Sequence, residues 1–191
     1  MKLAVSHIPR IAGIILILAF LIEVMYDPIS SVKHSLEVAQ VRSEFPKALA
    51  KWSALEIKDY RFEIIGSAPS ICEVSAIIQV KNDAVVKVET KDFSSQDSAV
   101  QILPPDQWAN PDWGDEVFLC NYNHFTMTRI FDLLGRSLQN GPSTILKADF
   151  DPTFGFITDF SYGLYIGHGL LNPQINDWIN SLSIKNFQVL D

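Results

Sequence analysis

Cysteine is scarce in this sequence, with only Cys72 and Cys120 among 191 residues. Two cysteines cannot form the disulfide network that holds very small secreted domains together, so a disulfide-stapled miniature is excluded. In an exported protein the two could form one bridge, whereas in a reducing compartment they would be small buried apolar side chains. The sequence leaves both alternatives open, because it does not fix the distance between the two Cα atoms.

Positive charge is also scarce, since 15 Lys and Arg stand against 22 Asp and Glu and give a formal net charge of -7. Residues 1–26 hold Lys2, Arg10 and Glu23, so without them the net charge of the remainder is -8. Phosphate backbones and anionic lipid surfaces repel such an acidic domain. Nucleic acid is therefore not a predicted partner.

Catalytic, cofactor and metal-binding motifs are lacking as well. The glycines Gly163, Gly167 and Gly169 lack both the strand-loop-helix context and the Lys of a phosphate-binding loop. Asp112, Asp115 and Glu116 could suggest calcium, but their spacing does not match an EF-hand loop. We therefore expect no cofactor and no bound metal.

One long apolar run is present near the N-terminus, at residues 11–22, with Lys2 and Arg10 before it and Glu23 after it. A basic start and an apolar run are typical of a secretory signal peptide, but no small-residue cleavage site follows. With its flanking residues the run approaches the length of a membrane span. We predict an uncleaved transmembrane anchor over residues 11–26, with secretion after signal cleavage as the alternative.

The two basic residues also predict how the anchor is oriented, because Lys and Arg near a membrane stay on the cytoplasmic side. Lys2 and Arg10 place the N-terminus inside, and Lys33 is a weaker and more distant counterweight. The chain is therefore predicted to be a single-pass protein of the cell membrane. Its C-terminal domain is expected outside the cytoplasm.

The sequence after the anchor divides into a stalk and a domain. Pro28 predicts the end of the membrane helix and Pro46 an interruption of the next helix, because proline cannot continue the hydrogen-bond ladder. We predict three parts: a cytoplasmic stub with the transmembrane helix at 1–27, a helical stalk at 28–51, and an extracytoplasmic domain at 52–191.

The first half of the domain shows strand patterns. Strict alternation from Tyr60 to Ile64 predicts a half-buried strand, and residues 66–70 predict a turn. Residues 72–89 predict a hairpin in which Ile78 pairs with Val88 and Val80 with Val86, because that register keeps four apolar side chains on one face. It requires a three-residue loop, Asn82 to Ala84.

Residues 92–125, here called the acidic aromatic loop, combine several acidic side chains with several aromatic ones. Loops of this length are uncommon in compact domains unless they are functional or disordered. The simplest interpretation is a surface lid anchored by its tryptophans, and the functional interpretation is a partner-binding surface. Its candidate binding residues are Trp108, Asp112, Trp113, Asp115 and Glu116.

The second half of the domain predicts a helix and more strands. A helix is predicted from Met127 to Asn140 with Thr126 or Thr128 as its cap, because Ile130 and Leu134 recur at helical spacing. Strands are predicted at 145–150, 156–160 and 183–190, with a turn at 151–155. Since the strands cluster without βαβ alternation, we predict an α+β fold, an antiparallel sheet with one main helix packed on a face.

A set of ordered landmarks resembles a bacterial family of exported proteins known as domain of unknown function 6174. The resemblance covers about residues 52–190 and implies an anchored or lipid-modified protein with one small extracytoplasmic α+β domain. It implies no catalytic residues. The landmarks are Trp52, Tyr60-x-Phe62, Cys72, a hairpin, a helix containing Phe131, and Asp151-Pro152-x-x-Gly155-Phe156.

This chain departs from the family pattern at several positions. The family usually has a Cys-x-Cys pair, and here Val74 occupies the second position. The resemblance therefore implies that Cys120 replaces the missing partner of Cys72, or that the bridge is lost. The acidic aromatic loop looks like an insertion relative to the family.

The sequence is compatible with a binding module, with an enzyme, and with a purely structural part of an envelope complex that the sequence does not distinguish from the binding module. The first is a noncatalytic, membrane-anchored extracytoplasmic module that binds a protein or another envelope component. The alternative is a hydrolase or thiol enzyme that uses Cys72 as nucleophile and His124 or His168 as base, because distant residues can meet in a fold. Neither flank of Cys72 matches a known signature of cysteine hydrolases.

Overall fold

Two helices and one sheet make up the described part of the computed structural model, which covers residues 8–68, 72–90, 100–109, 112, 117–139, 144–164 and 179–190. Three short 3-10 turns lie at 105–107, 118–120 and 122–124. The helices and strands are α1 (Ile8–Ala54), β1 (Tyr60–Ala68), β2 (Cys72–Lys81), β3 (Ala84–Thr90), β4 (Gln101–Leu103), α2 (Met127–Ser137), β5 (Thr144–Phe150), β6 (Ile157–Leu164) and β7 (Asn180–Val189).

The seven described strands form one antiparallel sheet in the order β4-β3-β2-β1-β7-β6-β5. Two meanders, β1 to β4 and β5 to β7, meet where the first strand pairs with the last. The predicted α+β class with an antiparallel sheet is confirmed. Strand β4, which the sequence did not predict, adds an edge strand from within the acidic aromatic loop.

The core lies between one face of the sheet and the two helices. Tyr60, Phe62 and Ile64 alternate along β1 and are at most 1% exposed, as their apolar spacing predicted. From α2, Ile130 and Leu134 are fully buried in the same core. The side chain of Thr126 accepts a hydrogen bond from the backbone N–H of Arg129 and caps α2, so the first of the two predicted caps is confirmed.

Helix α1 is longer than the sequence predicted, because it runs without a break through Pro28 and Pro46. The predicted end at the first proline and interruption at the second are therefore wrong. An internal proline costs a helix about 3 kcal/mol. In the same helix, burial of Val41 and Trp52 offsets that cost, since a large apolar side chain contributes about 1.5–3 kcal/mol when buried.

The second half of α1 packs on the domain as α2 does, so two helices cover the sheet where one was predicted. The contact between Phe45 and Phe131, with ring centroids 6.0 Å apart, joins the helices directly. Within the residues that the structure describes, no helix combines the length and the apolar character needed to cross a membrane.

The β2–β3 hairpin confirms half of its predicted register. Ile78 pairs with Val88 as expected, but Val80 pairs with Val85 and not with Val86. A bulge adds Val86 to β3, and the connection is a two-residue turn. Both turn residues, Asn82 and Asp83, have positive φ angles of 49° and 60°, which is the backbone of a type I′ turn.

Strand β1 also extends beyond its predicted end. The predicted turn at 66–70 is wrong over residues 66–68, which continue the strand, and residues 69–70 lie outside the described part. Gly66 lies in close contact there, because a Cβ atom would lie 3.0 Å from the carbonyl oxygen of Ser181 and 3.4 Å from the side chain of Leu119. A glycine that looks like a turn signal is thus a site of close packing.

A bulge in β7 gives the core an additional aromatic side chain. Asn186 has a φ of 50°, and the pairing of β7 with β1 shifts between Arg61 and Glu63. The extra residue reverses the alternation, so that Phe187 stacks on Phe156 with ring centroids 4.4 Å apart.

The predicted turn at 151–155 is confirmed and docks on α1. The side-chain oxygen of Asp151 accepts hydrogen bonds from the backbone N–H groups of Thr153 and Phe154, at 2.8 and 2.6 Å. Gly155 closes the turn with a φ of 82°, and its position against the carbonyl oxygen of Ala48 leaves no room for a Cβ atom. The turn thereby fixes α1 to the β5–β6 hairpin.

Candidate binding site

A disulfide bond joins Cys72, at the start of β2, to Cys120 in the 3-10 turn at 118–120. The two Cα atoms lie 5.9 Å apart, within the range of natural bridges. The pairing that the sequence left open is therefore present. It fixes the C-terminal part of the acidic aromatic loop to the sheet and places Leu119 against Gly66.

Trp108 holds the loop from its other side. Only 6% of this residue is exposed, and its indole N–H donates a hydrogen bond of 3.0 Å to the carbonyl oxygen of Leu103 in β4. The backbone N–H of Tyr122 donates to the carbonyl oxygen of Trp108 at 2.8 Å, and Ala109 bridges to Asn121. Trp108 therefore anchors the loop, and its indole is buried in the core.

The other candidate binding residues of the loop are only partly described. Asp112 is exposed to solvent. Trp113, Asp115 and Glu116 lie outside the described residues. The partner-binding role of these four side chains stays a prediction.

Two of the three residues of the alternative, enzymatic interpretation, Cys72 and His124, lie in the described part of the chain. Cys72 is bonded to Cys120 and has no thiolate that could attack a substrate. The ring of His124 stacks on Phe118 at 5.1 Å, and its Nδ1 lies 3.2 Å from the carbonyl oxygen of the same residue. His168 lies outside the described residues. The disulfide-bonded geometry therefore does not support a Cys72 nucleophile.

A groove of about 980 Å³ runs between the second half of α1 and α2, here called the interhelical groove. Phe45, Leu49 and Phe131 contribute its apolar surface. Gly135 of α2 lies at the contact between the helices, where a Cβ atom would make an ordinary contact of 3.4 Å with the Phe45 ring. The rim carries charges of both signs, from Glu56, Lys58, Asp83, Asp132 and Arg136.

This groove was not predicted from the sequence, because the residues that form it were assigned separately to a stalk and to a core helix. The available signal was Gly135, a residue of low helix propensity in the middle of an otherwise regular helix. Mixed charges around apolar side chains suit an amphipathic ligand or peptide, since apolar area supplies affinity and charges fix orientation.

Three partly or fully buried tyrosines do not supply a catalytic base to these surfaces. Burial raises the pKa of Tyr60, Tyr122 and Tyr162 above the ordinary tyrosine value, so their hydroxyl groups stay neutral at physiological pH. The Tyr60 hydroxyl is committed to the helix α2, because it accepts a hydrogen bond of 2.8 Å from the backbone N–H of Met127.

The sheet face opposite the core carries an ion-pair network. Lys87 and Arg61 contact the Glu89 carboxylate at 2.6 and 3.2 Å. The hydrogen bond from Lys87 is the largest cause that lowers the pKa of Glu89, with further lowering by the charge of Arg61. Such pairs are ordinary on a solvated sheet face, so we assign them no binding role.

Neither a cluster of metal ligands nor a similarity to known proteins assigns a function to this chain. Among the described residues, no group of three or more His, Cys, Asp or Glu side chains could hold a metal ion. Comparison with protein-family models and with curated proteins finds no match for this chain. The resemblance to domain of unknown function 6174 stays a prediction.

Proposed function

We propose that this chain is a membrane-anchored binding module whose domain lies outside the cytoplasm, and that it belongs with the exported proteins it resembles. One observation carries the proposal: the first part of α1 is apolar and exposed, while the second part of the same helix is packed into a disulfide-bonded domain. Such a chain presents an apolar helix to its surroundings and a folded domain beside it.

The exposed apolar side chains support an anchor because they surround the helix. These side chains point to different sides of the helix, because each residue is rotated by about 100° from the one before it. A helix that is apolar all round is buried in protein or in a membrane. Its exposed side chains are Ile15, Ile17, Leu18, Phe20 and Leu21, each 50% to 66% exposed.

The disulfide bond supports a location outside the cytoplasm. Bonds such as Cys72–Cys120 persist in oxidising surroundings and are rare where glutathione keeps thiols reduced. The basic residues before the apolar run, Lys2 and Arg10, favour a cytoplasmic N-terminus by the positive-inside rule. Together these features favour a single-pass protein of the cell membrane with residues 52–191 outside.

The interhelical groove and the acidic aromatic loop are the two surfaces that could bind an envelope or protein partner. The groove has an apolar floor and a charged rim. The loop has an exposed acidic residue, Asp112, on a segment that Trp108 and Cys120 fix to the sheet. No reactive constellation accompanies either surface among the described residues. A noncatalytic role is therefore the simplest function for this geometry.

Accessibility of an engineered cysteine tests the proposed topology. Ser53→Cys, at an exposed site on α1, should react with a membrane-impermeant maleimide added to intact cells after any outer membrane is opened. A cysteine at position 2, Lys2→Cys, should react only after lysis. Reaction of position 2 alone in sealed cells would contradict the orientation, and recovery of the protein in the soluble fraction would contradict the anchor.

Partner capture tests the binding role. Full-length protein in mild detergent should retain an envelope partner, and variants in either surface should lose it. The loop variant replaces Asp112, Trp113, Asp115 and Glu116 by Ala but keeps Trp108, whose loss would damage the core. The groove variant is Phe45→Ser with Leu49→Ser, and Lys47→Ser on the exposed side of α1 is the control. Capture unchanged in both variants would contradict the proposed surfaces.

A further inference from the structure

Helix α1 carries two apolar stripes on opposite sides. The inner stripe packs on the domain, as Val41 and Ala48 show by their burial. The outer stripe is defined by Val32 and Leu36, which are 60% and 66% exposed, and by exposed Ala39. Val32 and Val41 are separated by about 180° around the helix.

The outer stripe continues toward the N-terminus with coiled-coil spacing. Successive apolar positions alternate between intervals of four and three residues, which is the 3.5-residue period of a two-stranded α-helical coiled coil. Over 29 positions the stripe is about 44 Å long. Its positions are Ile11, Ile15, Leu18, Ile22, Met25, Ile29, Val32, Leu36 and Ala39.

We propose that a second copy of this chain covers the outer stripe, and that the two α1 helices form a parallel coiled coil from the membrane to the domain. The parallel direction rests on the proposed membrane anchor, since two copies inserted the same way have parallel helices. Symmetric pairs of identical chains are the commonest oligomers.

Lipid does not account for the whole stripe. Around Val32 and Leu36, the intervening positions 33–35 are Lys, His and Ser. A segment with this polarity is costly within hydrocarbon, so that part of the stripe lies in water. An apolar stripe flanked by polar residues in water is stabilised when it faces another helix.

Between residues 15 and 29, the residue types at the stripe favour two helices. In the heptad register of the stripe, isoleucine occupies the a positions 15, 22 and 29, and Leu18 and Met25 occupy d positions. The next pair is reversed, with Val32 at d and Leu36 at a. β-branched residues at a combined with unbranched-Cβ residues at d favour two-stranded parallel coiled coils. Past Ala39 the same spacing reaches Ser43 and Pro46, so the apolar stripe ends where the domain begins.

Cysteine cross-linking in lipid vesicles tests the pairing with the full-length chain. Val32→Cys and Leu36→Cys should each give disulfide-linked dimers under mild oxidation, because like positions face one another in a parallel pair. His34→Cys, on the opposite side of the helix, is the matched control and should stay monomeric. Equal yields at all three positions, or no dimer at any, would overturn the proposal.

A pair of double variants tests whether the apolar side chains of the outer stripe stabilise the dimer. Adding Leu36→Glu to the Val32→Cys variant should lower its cross-linked fraction at least fivefold, whereas adding Lys47→Glu should not. Because Leu36 is exposed, the domain should unfold at the same denaturant concentration in both variants. Unreduced cross-linking with Leu36→Glu would contradict a pair through this stripe.

Vesicle flotation separates the pairing from the anchor. Protein that floats with vesicles but gives no Val32→Cys dimer overturns the pairing and leaves the anchor in place. Protein that fails to float yet gives position-specific dimers overturns the anchor and supports pairing through the same stripe.

Discussion

The hydroxyl oxygen of Tyr60 accepts a hydrogen bond of 2.8 Å from the backbone N–H of Met127. A side chain of β1 thus pairs one of the backbone N–H groups that the first turn of α2 leaves without a partner inside the helix. Tyr60→Phe leaves this buried N–H without its acceptor and should lower the free energy of unfolding by about 1–3 kcal/mol. Urea denaturation measures the change. The control, Tyr162→Phe, alters another partly buried tyrosine but keeps the Met127 bond, and an equal loss in both variants would contradict the capping role.

Alkaline pH should destabilise the domain through its buried tyrosines. The pKa of Tyr60 is raised in the folded state, whereas an unfolded tyrosine ionises near pH 10. Above about pH 10 the unfolded chain therefore loses a proton that the folded chain retains, and unfolding becomes more favourable. The contribution is fully present at lower pH. Urea midpoints should fall between pH 9 and pH 11, and less steeply in Tyr60→Phe; parallel slopes would contradict this origin.

Two glycine-to-alanine substitutions should have opposite effects. Gly155→Ala forces a side chain into positive φ and places a Cβ 2.7 Å from the carbonyl oxygen of Ala48, so it should cost at least about 1–2 kcal/mol. Gly135→Ala meets only ordinary contact with Phe45 and should stabilise α2 by about 0.5–1 kcal/mol. Thermal unfolding of both variants measures the difference, and equal stability would contradict the docked turn.

The native protein should have no reactive thiol. Maleimide labelling under denaturing conditions should modify neither cysteine before reduction and both after it, because Cys72 and Cys120 are bonded. Replacing both by Ala should lower the free energy of unfolding by about 2–5 kcal/mol. A fast-reacting thiol in the purified native protein would contradict the bond and restore the thiol-enzyme hypothesis.

The sequence predicts strands well where one residue pattern decides the outcome. Alternation over Tyr60 to Ile64 locates β1, and the Asp151 to Gly155 turn is recognisable because proline and glycine occupy positions with fixed backbone preferences. The pairing of Ile78 with Val88 follows from burial. Local chemistry is sufficient in these three cases.

The remaining differences come from tertiary contacts that no local pattern contains. The extra Val86 changes the hairpin register because a bulge reverses the alternation beyond it. Gly66 lacks a side chain because Leu119, which is distant in the chain, packs there. Pro46 does not interrupt α1 because other residues of the same helix, Val41, Ala48 and Trp52, are buried against the domain.

The candidate site was predictable only in part. Tryptophans were expected to anchor the acidic aromatic loop, and Trp108 does so through Leu103. The interhelical groove depends on how α1 crosses α2, a relation that helical periodicity does not specify. Periodicity identifies the apolar face of each helix and leaves open which partner that face meets.

The pairing of β1 with β7 also constrains how the protein is made. Tyr60 pairs with Val189, and the backbone N–H of Leu190 donates to the carbonyl oxygen of Asp59, so the domain closes through its last strand. The central strand of the sheet therefore has an unpaired edge until β7 has been synthesised. Contacts so distant in sequence slow folding, and an unpaired strand edge is prone to aggregation while the rest of the sheet is being made.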